Sequence, residues 1–371
     1  MGCESGRRIL AYAVIIAGGS GKRLWPLSRQ SRPKQVLRLF EGKTLLRLCF
    51  DRLRGIFDVG NILVLTNAQY AQQVREDLAE LPAENIIAEP QVRDTAGAIG
   101  LAATALSVRD RQCTMAVVTA DQVIEPDQPF IKAMRKAIEF VEKNPDALIT
   151  FGIEPTYAAT QYGYIKMGKP CAADKGCETV CSVAGFKEKP DADTAAEYIK
   201  SGDYCWNSGM FVWRAATILE HLKRFLPGCA EPLEKIRTAW GGPEQARTLE
   251  EWFVRIPKAS IDYAVMEKAA NVYCIRLDCR WLDLGSFTAL ADIITSDKNG
   301  NIVVAGHSEL LDCKNSIVAT EDNGHLIALI GAENMIVAHS PDATLVCPIE
   351  QSHRLKELLE QIEKNKGKRF L

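Results

Sequence analysis

Residues 13–35 read AVIIAGGSGKRLWPLSRQSRPKQ. Ala13-Val14-Ile15-Ile16-Ala17 is an unbroken apolar run, the pattern of a strand covered on both faces. The chain then breaks into Gly18-Gly19-Ser20-Gly21, where glycines admit positive φ and let backbone N–H groups approach an anion. Cations follow at Lys22, Arg23, Arg29, Arg32 and Lys34. A strand opening into a glycine turn among cations is a phosphate-handling arrangement. Ala17, Gly18, Gly19, Ser20, Gly21 and Lys22 are therefore expected to hold the phosphates of a nucleotide.

Working outward, hydrophobic content of 47% and charged content of 25% fit a folded globular chain, and 371 residues leave room for more than one domain. The formal charge of −2 makes the cations of the loop a local concentration, which argues against nucleic acid as a partner. No apolar stretch approaches the roughly 20 residues of a membrane span, so no membrane partner is expected. Arg7-Arg8 before an apolar run raises a signal peptide. The run flows into the glycine loop without a typical cleavage site, so a first strand is the better reading. Gly2 is followed by Gly6 where a myristoylation signal wants Ser or Thr. The 12 cysteines form no C-x-x-C pair. Cys171, Cys177 and Cys181 leave a zinc site as an alternative, but no histidine is near, and reduced thiols in a cytoplasmic protein are expected.

Beyond the loop, helical spacing over 44–57, 69–81, 96–108 and 129–143 alternates with apolar strands at 61–66, 85–88, 114–121 and 147–153. This rhythm predicts an α/β fold, a doubly wound, mixed but mostly parallel Rossmann-like sheet. From 157 the rhythm changes, with strands expected at 162–167, 181–187, 206–213 and 271–277. Helices are expected over 190–201 and within 214–267, and 281–294 reads as a turn running into a helix. A turn cluster at Asp297-Lys298-Asn299-Gly300-Asn301 starts a series of short β pieces, followed by an amphipathic helix over 350–366. Two domains are expected, 1–295 and 296–371, the second a small β unit of short β-helix type. No repeat of fixed period is visible. The final helix and the β unit would serve a homodimer.

The loop is not a Walker A, because Lys22 is followed by Arg23 and the first glycine is missing. It is not a dinucleotide fingerprint, because Leu24 stands where the third glycine belongs. What remains, GGSGKRLWPLSR followed by RPKQ, resembles the signature of the sugar-nucleotide pyrophosphorylases. Trp25 and Ser28 make it similar to the mannose-1-phosphate guanylyltransferase branch. Nucleotidyl transfer builds charge on an α-phosphate and a leaving pyrophosphate, so cations and N–H dipoles should dominate catalysis. Arg23 and Lys34 are the cations expected to reach phosphate. Lys22, Arg29 and Arg32 are open to a second reading as solvated charges.

Asp121 ends an apolar strand at the carboxyl edge where doubly wound sheets bind ligands. A carboxylate there suits Mg²⁺, although a helix cap is the alternative. The resemblance makes it the metal aspartate in TADQVI, and makes Asp283 in WLDLGSF the second metal ligand. FKEKP implies that Glu188 accepts sugar hydroxyls and that Lys189 holds the sugar phosphate. Standing alone it would be a solvated charge run. Asn207 can both donate to and accept from a hydroxyl. Gly163 would let the sugar lie against backbone, or is a plain turn glycine. Asp262 belongs near sugar or metal, or is a cap. Guanine is expected near the loop and 89–96, with Arg93, Asp94 and Thr95 at a helix start whose free N–H groups face the ligand.

The five histidines show no metal or catalytic spacing. The resemblance implies GTP and α-D-mannose 1-phosphate giving GDP-mannose and pyrophosphate with Mg²⁺. It implies an in-line single displacement without a general base, because the sugar phosphate is already ionised. Some members carry a further isomerase domain, not expected here because the chain stops soon after Lys366. A different nucleotide and hexose phosphate is one rival. A catalytically inert binder of GDP-mannose is the other.

Overall fold

Strand β1 (Ala11–Ala17) is where the two sides of the molecule meet. The computed structural model describes residues 10–371 except 20, 41 and 172–178, so Ser20, Cys177 and the leader motifs of residues 1–9 lie outside the described residues. Ala13, Ile15 and Ala17 point to a cluster with Phe50, Leu53, Phe130 and Met134. Tyr12 and Val14 point to the other face, with Ile99, Leu106, Ile218 and Leu222. Both faces are covered, which is why the strand reads as continuous apolar sequence.

The flanking strands are β2 (Ile62–Asn67), β3 (Ile86–Glu89) and β4 (Thr114–Thr119), followed by the short β5 (Gln122–Glu125). Next come β6 (Leu148–Ile153), β7 (Tyr164–Pro170), β8 (Val180–Lys187) and β9 (Tyr204–Arg214). β10 (Val272–Leu277) and β11 (Arg280–Asp283) follow. The main sheet has the order β3-β2-β1-β4-β9-β6-β10-β8-β7. β2, β1 and β4 pair in parallel and so do β6 and β10, while β8 and β9 run against their neighbours. The sheet is the mixed α/β one expected.

Two local readings change, and the helices expected over 44–57, 69–81 and 350–366 shorten, the first to Leu45–Leu53 and the last to Leu355–Lys366. The strand over 114–121 stops at Thr119, and Asp121 stands in the turn into β5. Trp281–Asp283 is not a turn but part of strand β11, paired antiparallel with β5 so that Asp283 lies opposite Gln122. The helix expected over 69–81 spans only Ala71–Asp77, after a tight turn at Ala68–Tyr70.

The C-terminal unit contains β12 (Ile302–Val304), β13 (His307–Leu311), β14 (Ile317–Thr320), β15 (Leu326–Ile330), β16 (Met335–Ser340) and β17 (Ala343–Pro348). β12, β14 and β16 stack in parallel, β17 adds antiparallel, and β13, a strand that sequence reading missed, pairs with β15. Ile302, Ile317 and Ile336 align in register and share one core with Leu24, Trp25 and Leu27 of the glycine-loop segment and with Leu355 and Leu359 of the helix Leu355–Lys366.

Candidate active site

The glycine loop is shaped by its own sequence. Gly21 has φ 59°, and a Cβ there would stand 2.7 Å from Cβ of Lys34, so glycine alone lets the turn close over the lysine. Ser28 Oγ donates to the Gly21 carbonyl at 2.5 Å. Gln35 Nε2 and Thr66 Oγ1 both donate to the Ala17 carbonyl, at 2.7 and 3.0 Å, fixing the end of β1. Lys22 and Arg23 are exposed. A Cβ on Gly285, two residues past Asp283, would stand 3.5 Å from Arg23 Nη1, so Arg23 lies near this turn. Arg29 and Arg32 turn the other way. Arg29 pairs with Asp342 at 2.5 Å and Arg32 with Glu321 at 2.7 Å, both in the C-terminal unit.

Lys34 is the centre of the next cluster. Its side chain is buried, and Nζ lies 2.8 Å from Asp121 Oδ2 and 3.3 Å from Asp283 Oδ1, and donates to the Leu284 carbonyl at 2.9 Å. The β5–β11 ribbon makes this convergence: the Leu284 amide donates to the Asp121 carbonyl at 3.1 Å, holding the two acids side by side. Burial pushes both carboxyls up. Lys34 outweighs that push at Asp121, which is held below the usual range. Asp283 stays raised, by burial and then by the Asp121 charge. Burial lowers the Lys34 ammonium, but the two carboxylates outweigh it and hold it raised. About a third of each aspartate side chain (32%) still faces the cleft. The described residues contain no group of three or more metal-ligating side chains. Two carboxylates with an open side fit a hard dication that takes its other ligands from phosphate and water, and a cation already bridges them.

A second cluster lies where β7, β8 and β9 meet. Asn207 is buried, donates from Nδ2 to Asp262 Oδ1 at 2.9 Å, and accepts from Thr150 Oγ1 at 2.9 Å. Lys189, at φ 45°, donates to Glu188 Oε1 at 2.5 Å. Glu188 is buried and its Oε2 has no hydrogen-bond partner, an acceptor left open. A Cβ on Gly163 would stand 2.4 Å from that oxygen, so Gly163 is needed to admit Glu188. Asp262 is pushed up to about 7 by burial and then by the Glu188 charge. Gln122 Nε2 donates to the Ser208 carbonyl at 2.5 Å, which ties the strand after Asp121 to the strand that carries Asn207. The expected phosphate, metal and sugar residues are therefore brought to one edge of the sheet.

The guanine segment departs from expectation. The Thr95 amide donates to Asp94 Oδ1 at 2.8 Å, and the Ala96 amide to the Ala259 carbonyl at 3.1 Å, so these donors are taken and not free. The Thr95 hydroxyl accepts from the Ile261 amide at 2.8 Å. Arg93 is held by Gln91 Oε1 at 2.8 Å and by the Val254 carbonyl. The helix itself begins at Asp94, with Asp94 at φ 61°. Glu89, the first residue of the expected segment, was given no role of its own in the sequence reading. It ends β3, is 4% exposed, and its Oε1 has no partner, while a Cβ on Gly18 would stand 3.3 Å from Oε2. Burial pushes its carboxyl up to about 8. An acid closing a short apolar strand is the same signal that marked Asp121, and it was there in Ile86-Ile87-Ala88-Glu89.

The chain matches the Nucleotidyl transferase family over residues 12–300 and a MannoseP isomerase/GMP-like beta-helix domain over 306–362. It is 37% identical to a mannose-1-phosphate guanylyltransferase of Klebsiella pneumoniae, over 96% of this chain and 75% of that one. It is 38% identical to a mannose-1-phosphate guanylyltransferase of Escherichia coli strain K12, over 95% and 73%. The solved structure of a mannose-1-phosphate geranyltransferase from Thermus thermophilus superposes with a TM-score of 0.84 at 33% identity, covering 96% of this chain and all (100%) of that one.

Proposed function

This chain belongs to the mannose-1-phosphate guanylyltransferase family of nucleotidyl transferases, and on that premise we propose that it transfers GMP from GTP to α-D-mannose 1-phosphate, giving GDP-mannose and pyrophosphate. The observation that carries the reading is the meeting of Lys34, Asp121 and Asp283 beside the glycine loop, with the Glu188, Asn207 and Asp262 cluster tied to it through Gln122.

An oxygen of the mannose phosphate attacks the α-phosphorus of GTP, the bond from that phosphorus to the bridging β-oxygen breaks, and pyrophosphate leaves with its electron pair. No proton has to be removed from the attacking group at neutral pH. Loop amides at Ala17–Gly21 cradle the phosphates. Arg23 and Lys34 neutralise the triphosphate and the departing charge. Lys189 holds the sugar phosphate, while Glu188, Asn207 and Asp262 take the hydroxyls and Gly163 clears space for the ring. Asp121 and Asp283 would hold Mg²⁺, which supplies charge neutralisation between the two phosphates when bound.

Glu89 supports GTP over other triphosphates. Guanine presents two donors side by side, N1–H and the N2 amine, and a carboxylate accepts both. Uracil, thymine and adenine each present an acceptor at that edge, which an ionised Glu89 would repel. We place the enzyme in the cytoplasm, a reading that buried free thiols at Cys49, Cys113, Cys205, Cys229 and Cys274 suit. Among the described residues no helix is long and apolar enough to cross a membrane. A homodimer is supported by the exposed apolar residues Leu311, Leu326 and Ile330 on β13 and β15. The test is pyrophosphate release from purified protein with GTP, mannose 1-phosphate and Mg²⁺. Absence of release overturns the activity, and release untouched by EDTA overturns the metal assignment alone.

A further inference from the structure

The loop that is read as gripping GTP is rich in glycine and has little rigidity of its own. Its bracing comes from a part of the chain 283 to 345 residues away. Trp25 Nε1 donates to the Phe370 carbonyl at 2.6 Å. Arg29 forks onto Asp342, at 2.8 Å to Oδ2 and 2.5 Å to Oδ1, and also donates to Ser340 Oγ at 2.7 Å and to the Pro26 carbonyl at 3.2 Å. Arg32 donates to Glu321 Oε1 at 3.1 Å, and the same oxygen accepts from the Arg38 amide at 2.6 Å. The Arg29 and Arg32 backbones bond to each other at 2.8 and 3.1 Å, so the two arginines form one small hairpin with both guanidinium groups directed at the C-terminal unit. Beneath them Leu24, Trp25 and Leu27 are buried with Ile302, Ile317, Ile336 and Leu355.

We propose that the C-terminal β unit is a positioning element for the nucleotide loop, and that Arg29 and Asp342 form its working contact. On this reading Trp25, Ser28 and Arg29 in RLWPLSR recognise a surface of the same chain and not a phosphate. Trp25 and Arg29 reach the unit directly, and Ser28 ties the hairpin back to Gly21, whose backbone cradles Lys34. A bidentate Arg–carboxylate fork fixes angle as well as distance, which a single ion pair does not. Loosening it frees the loop ahead of Arg23 and Lys34. Strand β9, which carries Asn207, and β8, which Glu188 follows, lie elsewhere in the sheet and make none of these contacts. The effect therefore falls on the triphosphate and not on the sugar phosphate, a statement that rests on the guanylyltransferase reading.

The experiment uses the full chain with Asp342→Ala, Arg29→Ala and the conservative Asp342→Glu. Two readouts are taken. Amide hydrogen exchange needs no substrate: faster exchange over residues 18–36 in both alanine variants, with residues 62–67 unchanged and Asp342→Glu close to wild type, is expected. Steady-state kinetics should show KM for GTP raised roughly tenfold in both alanine variants, the scale of a well-formed ion pair's coupling, and KM for mannose 1-phosphate within about twofold. Unchanged exchange over 18–36, or an equal rise of both KM values, overturns the proposal. A wild-type protein that does not turn over GTP at all would sink the functional reading, while the exchange result still judges the brace.

Discussion

Lys34 holds a position that a metal ion would contest. Its ammonium bridges Asp121 and Asp283, so a dication binding there must displace it toward phosphate. Lys34→Gln removes the bridge and leaves two crowded carboxylates facing each other, which raises the proton affinity of the pair. In metal-free buffer the variant should melt roughly 1–2 °C lower, as expected for about 1 kcal/mol in a chain of this size. Millimolar Mg²⁺ should restore most of that loss and shift wild type less, because wild type carries its own cation. Thermal melts with and without Mg²⁺ check this, and equal shifts in the two proteins would remove the carboxylates from the metal site. Turnover should fall at least about a hundredfold in the same variant.

Glu89 makes a prediction of opposite character. A neutral carboxyl has one acceptor oxygen and one donor, so it cannot match the two guanine donors, and GTP binding at pH 7 must expel the proton held there. The dissociation constant of GTP should therefore fall about tenfold per pH unit below pH 8 and level off above it. Glu89→Gln should flatten that slope, weaken GTP by about ten- to a hundredfold, and erase the preference for GTP over ITP, which lacks the N2 amine. Titration calorimetry at several pH values reads all three effects. A GTP slope that survives Glu89→Gln would refer the proton to another group.

At the scale of elements, the loop and the β5–β11 ribbon carry the site. Gly21→Ala should cost about 1 kcal/mol for the left-handed backbone alone, and more for a Cβ 2.7 Å from Lys34. A melting temperature several degrees lower is expected. Gly19→Ala, whose Cβ would meet nothing within 4 Å, should melt like wild type. Equal melts of the two variants would mean that the loop does not close on Lys34 as described. The apolar run, the glycines and the cations were legible because each acts locally. The ribbon was not. Gln122-Val123-Ile124-Glu125 is too short for a pattern, Pro126 follows at once, and its partner is Arg280–Asp283. Nothing near Asp283 in sequence announces Asp121, so only the resemblance joined them. The C-terminal coil hid its repeat for a similar reason. Ile302 pairs with Ile317 and Ile317 with Ile336, so successive turns differ in length and no fixed period exists. The free N–H groups expected at the helix start were not found for another reason: the Ala96 amide is spent on the Ala259 carbonyl and the Thr95 amide on the Asp94 side chain.

At the scale of the molecule, the cleft trades stability for recognition. Glu89 and Asp262 are both pushed up, to about 8 and about 7, chiefly by burial, and Glu89 Oε1 has no donor. A carboxyl raised in the folded state binds its proton more tightly there than in the unfolded chain. Its favourable contribution is complete below the unfolded value near 4 and is lost as pH rises through the folded value. The ligand-free protein should therefore lose stability steadily between about pH 5 and pH 8, by up to about 4 kcal/mol from Glu89 and less from the partly exposed Asp262. Glu89→Gln and Asp262→Asn keep the shape and remove the titration. Each should be more stable than wild type at pH 8.5 and show a shallower pH dependence, most clearly in Glu89→Gln. Denaturant unfolding at pH 5.5, 7 and 8.5 measures this directly. Saturating GTP should then stabilise wild type more at pH 8.5 than at pH 6, because the charge that burial penalises is the one the guanine donors satisfy. If the wild-type curve is flat and the variants track it, these carboxyls are not held in the cleft as described, and the assignment of Glu89 to guanine falls with them.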